Sequence, residues 1–271
     1  MKQTGRYLII LLLSLGYTLS GQETLECNAV DRPYQDGEEI VYKVYYNWGW
    51  LWIAAGEVIF KVEDKASEVV YTVTGRSFKA YDPIFMVRDY YVSHLDKTTC
   101  QPTFFRRDIH EGKYLRYDSI SFDQQNHQLV EYFGKSKAEA QRFEFQLDDW
   151  VHDMVSVIYH LRSQKVASME EGYKLPVRIF FDKELFSLDV NYIGQKRRRI
   201  KGLGMQSVYH FQPELIDGYV FSEGNLMDIW VSDDARQVPL LIESPINIGS
   251  VKAILQKYKP SRTTPTRDDY R

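Results

Sequence analysis

The sequence predicts a mainly β protein: a large, curved antiparallel sheet or incomplete β-barrel that carries one main amphipathic helix. Three observations predict it. Short runs rich in Val, Ile, Tyr, Phe and Thr follow one another along most of the chain, with turn residues between them. Tyr occurs 20 times, and it suits strands with one half-wet face. A single segment breaks the alternation with a helical period. A curved sheet covered by that helix buries one face without a second sheet, and a two-sheet sandwich is the alternative.

Residues 39–47 read as the first strand and 52–63 as the second, with Asn47-Trp48-Gly49-Trp50 as the turn between them. Strands follow at 69–79, 86–96 and 102–111. Glu111-Gly112-Lys113 is a hairpin turn into 114–122, Asp123-Gln124-Gln125-Asn126 leads into 127–133, and 142–147 ends this set. Residues 148–164 carry the helix: counted from Val151, the apolar residues Met154, Val155 and Ile158 fall at i+3, i+4 and i+7. Asp148 or Asp149 is expected to cap its start, while Arg162 and Lys165 suit its negative end. Strands resume at 173–182, 185–194, 197–201, 205–213, 226–231, 239–244 and 249–257. Residues 215–223 give no clear signal, and the polar tail 259–271, with Pro260 and Pro265, is expected to be disordered.

Residues 1–21 have the layout of a secretory signal peptide: Lys2 and Arg6, an apolar run, then Thr18-Leu19-Ser20 at a cleavage site. The apolar run is about 13 residues, short of the roughly 20 that span a bilayer. The expectation is a soluble periplasmic or secreted chain with no membrane span after cleavage, folded as a single β-rich domain over 22–258. Cys27 follows Glu26, which does not suit lipid attachment. In an oxidising compartment Cys27 and Cys100 are expected to form one disulfide, adding roughly 2–5 kcal/mol if unstrained. Two free thiols are the alternative, because no spacing rule fixes the pair.

The formal net charge of −3 becomes −5 once the two cations of the leader are removed. That balance gives no reason for nucleic-acid or anionic-surface binding. One basic cluster stands out, Lys196-Arg197-Arg198-Arg199-Ile200-Lys201. It reads first as a solvated, charge-protected strand edge or hairpin, and second as a site for an anionic headgroup or phosphate.

Several pieces occur in a specific order. They are Asp36-Gly37-Glu38-Glu39-Ile40-Val41-Tyr42 leading to Tyr45-Tyr46-Asn47-Trp48, then Ala55-Gly56-Glu57-Val58, Val87-Arg88-Asp89 and Phe105-Arg106-Arg107-Asp108. Next come the helix piece from Asp153 to Arg162 and Asp228-Ile229-Trp230-Val231-Ser232-Asp233-Asp234, with Arg236, Val238-Pro239 and Ile248-Gly249-Ser250-Val251 behind it. Together they resemble the domain of unknown function 3108 family of exported bacterial proteins, from about Tyr34 to Tyr258. The resemblance implies an envelope location and a mostly β fold, and it carries over no activity or catalytic residue.

Tyr45, Trp48, Trp50 and Trp52 are the candidate ligand-binding residues. On an extended chain the three indoles would share a face able to stack on sugars or line an apolar cavity; otherwise they fill the core at a tight strand connection. Asp149, His152 and Asp153 would share a helix face, but helix capping explains them better than a metal site. Glu38-Glu39 and Asp233-Asp234 are poor acid/base pairs, since neighbours on a strand face opposite ways. No nucleophile elbow, phosphate loop or metal spacing is present, so no catalytic residue, metal or cofactor is expected. The functional expectation is an envelope protein, leaning non-enzymatic, that binds an apolar or amphiphilic ligand such as a lipid. A protein-interaction module with an envelope protein partner is the alternative, and an enzyme acting on glycans or lipids is third.

Overall fold

The structure is a computed structural model that describes residues 32–48, 50–214, 226–245 and 249–260, with backbone alone at Trp48. The expected leader, Cys27, the 215–223 stretch and the tail beyond Pro260 lie outside these residues.

The described strands join one antiparallel sheet of 14 strands that does not close into a barrel. Its first half is a meander of β1 (Glu39–Trp48), β2 (Leu51–Asp64), β3 (Glu68–Ser77), β4 (Val87–Asp96), β5 (Pro102–Glu111), β6 (Tyr114–Asp123), β7 (Gln128–Gly134) and β8 (Gln141–Gln146). The second half is a meander of β9 (Lys174–Phe181), β10 (Glu184–Ile200), β11 (Gly204–Pro213), β12 (Asp228–Ser232), β13 (Pro239–Pro245) and β14 (Ser250–Lys259). β1 pairs with β14, from Glu39 opposite Lys259 to Asn47 opposite Ser250, and so fuses the halves. β8 and β9 are left as the two edges. The predicted curved sheet is present and the two-sheet sandwich is not.

Alternation drives the burial. On β6, Asp118, Ile120 and Phe122 are buried while Ser121 and Asp123 are exposed, as a period of two requires. The inward face closes on α1 (Ser156–Arg162) from both sides. Val155 and Tyr159 pack with Tyr71, Phe105, Ile120 and Phe180. Val157, Ile158 and Leu161 pack with Leu175, Val190, Phe211 and Val231 of the other half. No helix among the described residues is long and apolar enough to cross a membrane.

The helix is shorter than the periodicity predicts. Residues 148–155 lie outside the helix, as bends, a bridge and a turn, because the rest of the protein supplies hydrogen bonds to them. The His152 N–H donates to Arg178 O at 2.8 Å, and its carbonyl accepts from Phe180 N at 2.9 Å, bridging to the β9 edge. The Gln124 amide holds Val151, accepting from its N–H at 3.2 Å and donating to its carbonyl at 2.9 Å. Asp148 and Asp149 pair with Arg178 and do not cap the helix. Asp153 does that work, accepting from the N–H groups of Val155 and Ser156 at 2.7 and 2.9 Å. The predicted strands 185–194 and 197–201 are one strand, β10, which continues through an irregularity between Tyr192 and Gly194.

β10 and β11 form a hairpin much longer than the five-residue β12 beside it. Its tip folds over the face of the sheet turned away from α1. Ile200 and Leu203 there pack with Trp230, Leu241, Ile254 and Tyr45 in a second, outer core.

Candidate functional site

That fold-over brings together two separate features of the sequence. The aromatic stretch lies at the β1–β2 tip, and the basic cluster lies at the β10–β11 tip. Trp52 meets Tyr45 edge-on, with ring centroids 5.8 Å apart. The Lys201 ammonium sits 5.0 Å from the Tyr45 ring centre and 4.5 Å from that of Trp52, and Lys252 approaches Trp52 to 4.9 Å. Trp50, in the turn, is 90% exposed, and Trp52 is 37% exposed. The chain reverses between Trp48 and Leu51, so Trp48 and Trp52 lie on adjacent strands and not along one. The Trp48 side chain lies outside the described residues.

The cations near this patch differ in how they are neutralised. Glu243 takes both Arg198 and Lys252, the latter at 2.6 Å. Arg197, Arg199 and Lys201 make no ion pair among the described residues. Trp230 holds the middle of the face. His210 stacks on it at 3.8 Å and 6°, while Arg198 and Lys196 lie 4.0 and 4.5 Å from its ring centre. Burial pulls the His210 pKa down, against the upward pull of Asp228 bonded at 2.6 Å.

Inside the sheet lie charged groups of another kind. Arg162 on α1 grips Glu38 with bonds of 2.7 and 3.1 Å, and the Tyr258 hydroxyl donates to the same carboxylate at 3.2 Å. Tyr159 and Tyr71 stack at 3.8 Å beside it. A second group is Arg107, Asp118, Glu131 and Asp182. Arg107 stands directly opposite Asp118 in the register, and its guanidinium also pairs with Asp182 at the β9–β10 turn. Burial pushes Glu131 up to about 8, with the Asp118 charge adding to the rise, and pushes Asp118 up to about 6 against the pull of Arg107. Sequence reasoning missed this cluster. Its one signal was parity: Arg107 falls between Phe105 and Ile109 on the face that the alternation buries.

The other candidates separate. His152 and Asp153 are buried, Asp153 accepting from the Ser93 hydroxyl at 2.7 Å, whereas Asp149 is half-buried against Arg178, so the three form no metal set. Glu38 and Glu39 do face opposite ways, Glu39 pairing with Lys61 and Lys257. Asp233 and Asp234 hold a turn through Ser207 and Arg236. Cys100 lies in the β4–β5 turn, with its expected partner Cys27 outside the described residues. An apolar cavity of about 90 Å³ remains between α1 and the second half, lined by Ile158, Leu161, Val166, Leu175, Phe211 and Ile229.

The family described as "Protein of unknown function (DUF3108)" matches residues 41–256. The chain belongs to the DUF3108 family. Among solved structures, this DUF3108 chain is similar to a β-barrel-like protein of domain of unknown function DUF1849 from Brucella abortus, with a TM-score of 0.55 at 10% identity. That match covers 84% of this chain and 98% of the other. At such identity the likeness concerns the fold. The hypothetical protein CT021 from Chlamydia trachomatis matches more loosely, with a TM-score of 0.36 at 8% identity over 86% of this chain and 92% of the other. No curated protein matches significantly.

Proposed function

We propose that this DUF3108 protein is an exported, non-enzymatic protein of the cell envelope that binds an amphiphile with an anionic headgroup at its joined hairpin tips. The observation that carries the reading is the seating of Lys201 and Lys252 on Trp52, beside the exposed Trp50. Indoles favour the boundary between apolar and wet surroundings, and lysines there draw anionic headgroups. The net charge opposes such a contact, but Lys201 and Lys252 set positive charge against the Trp52 indole. Export rests on the leader pattern of residues 1–21. Transport of a whole lipid inside the fold is not part of the proposal: an internal space of about 90 Å³ is small beside the roughly 300–1,000 Å³ of ordinary ligand pockets. The paired acids Asp118 and Glu131 are fully buried, which favours a role in folding over one in chemistry on a substrate.

The test is co-sedimentation of the mature chain, from Gln22, with vesicles of anionic and of zwitterionic phospholipid. Mass spectrometry of the protein purified from a periplasm would accompany it. Binding to the anionic vesicles, weakened by Trp50→Ala, Trp52→Ala and Lys201→Glu, is expected. Wild-type binding in all three variants would remove the tips from the proposal.

A further inference from the structure

A different part of the outer face carries a second concavity. It spans β2 to β5 and has a volume of about 690 Å³, within the usual range for small-molecule sites. Arg76, Arg88, Tyr90, Arg106, Asp108 and His110 line it. The register places Arg76 directly opposite Arg88 on the next strand, and Arg88 directly opposite His110 on the one after. Like charges directly opposite one another in a sheet are destabilising, and here Glu57 and Asp82 offset the Arg76–Arg88 pair. Val92 and Tyr117 share the face by register and are buried.

The arginines are held in position. Asp82 takes Arg88 through bonds of 3.2 and 2.6 Å, and the Ser77 hydroxyl adds a third at 3.1 Å. Glu57 takes the Nε of Arg76 at 2.6 Å. Arg106 is set apart: it makes no ion pair among the described residues, its Nε is buried without a hydrogen-bond partner there, and its guanidinium lies 5.3 Å from the Tyr90 ring centre. Fixed guanidinium forks match the oxygens of carboxylate and phosphate. Two acids also line the groove: Asp89, which accepts from the His110 N–H at 3.2 Å, and Asp108, which would repel a bare anion while accepting hydrogen bonds from hydroxyl groups. Tyr90 supplies a flat ring on which a sugar face can lie.

We infer that this groove binds a saccharide bearing an oxyanion, either a phosphate or a carboxylate, with Arg106 and Arg88 on the acid group and Asp108 and Tyr90 on the sugar. None of these residues belongs to the hairpin-tip patch, so the inference stands apart from the proposed amphiphile site.

Calorimetric titration of the mature chain at low salt tests it, with glucose 6-phosphate, glucuronic acid, inorganic phosphate and glucose as probes. Binding of at least one of the two sugar acids is expected, and which one binds identifies the acid group. Glucose should not bind, and inorganic phosphate should bind more weakly. Arg106→Gln, and also Arg106→Lys, which keeps the charge but loses the fork, should weaken binding by about tenfold or more. Trp50→Ala should leave it unchanged. Binding of neither sugar acid, unaltered binding in both Arg106 variants, or phosphate binding as tight as the sugar phosphate would each overturn the inference.

Discussion

Arg162 holds Glu38 by two hydrogen bonds across 124 residues of sequence, in a place where neither side chain meets solvent. The pair ties α1 to the start of β1 in the middle of the fold. Removing one partner leaves a buried charge alone, and such losses cost about 3–5 kcal/mol. Arg162→Met is expected to lower the urea midpoint accordingly. The double variant Arg162→Met with Glu38→Leu should recover much of the loss, because two apolar groups leave no stranded charge. A double variant no more stable than the single would show that the pair does more than neutralise itself.

Tyr159 stacks on Tyr71, but its own hydroxyl is buried with no hydrogen-bond partner among the described residues. The ring should therefore matter far more than the hydroxyl. Tyr159→Phe is expected to leave stability unchanged or slightly raised, while Tyr159→Ala should cost about 3–5 kcal/mol. Thermal or urea unfolding of the two variants checks the contrast.

The Asp118–Glu131 pair predicts an unusual pH dependence. Burial raises both carboxyl groups in the folded state, Glu131 to about 8, so the folded protein binds more protons than the unfolded chain up to that pH. Their contribution is complete below the ordinary carboxylate range and is lost as pH rises through the raised values. His152 and His160 act the other way: burial depresses both, and the stability they contribute is present above about 6.5 and lost as pH falls. Above pH 6.5 the carboxylates alone set the slope among these four groups. The urea midpoint should fall between pH 6.5 and 8.5, and Glu131→Gln should flatten that fall.

Gly56 faces the backbone of the neighbouring strand so closely that a Cβ would overlap the Arg76 carbonyl oxygen. It lies opposite Val44, where the β1–β2 register shifts between Val44 and Tyr45. Gly56→Ala is expected to cost about 1–3 kcal/mol, since backbone must move. Gly75→Ala, whose Cβ would meet the Asp89 side chain at an ordinary 3.6 Å, should be tolerated. Unfolding midpoints of both variants decide the point.

The strands of this protein are legible because each alternates locally, and a turn separates it from the next. The helix was legible in place but not in length. Val151 and Met154 fit a helical period, yet the bonds that hold Val151 and His152 out of the helix come from Gln124 and from β9, far off in the chain. The aromatic and basic stretches were each visible as oddities. That Lys201 would rest on Trp52 was not, since it follows from a hairpin outgrowing its neighbour. The Asp118–Glu131 pair left the faintest trace: only a position expected to be apolar, filled by an acid.

The pairing of β1 with β14 also orders events in time. As the chain is made, β1 exists long before the strand that covers its free edge. Until the last residues arrive, the first eight strands present an unsatisfied row of backbone groups, a template for wrong partners. Covering that edge depends on pairing two strands about 200 residues apart, and contacts so distant in sequence form slowly. A chain that lacks β14 therefore leaves the β1 edge open to pairing with another copy.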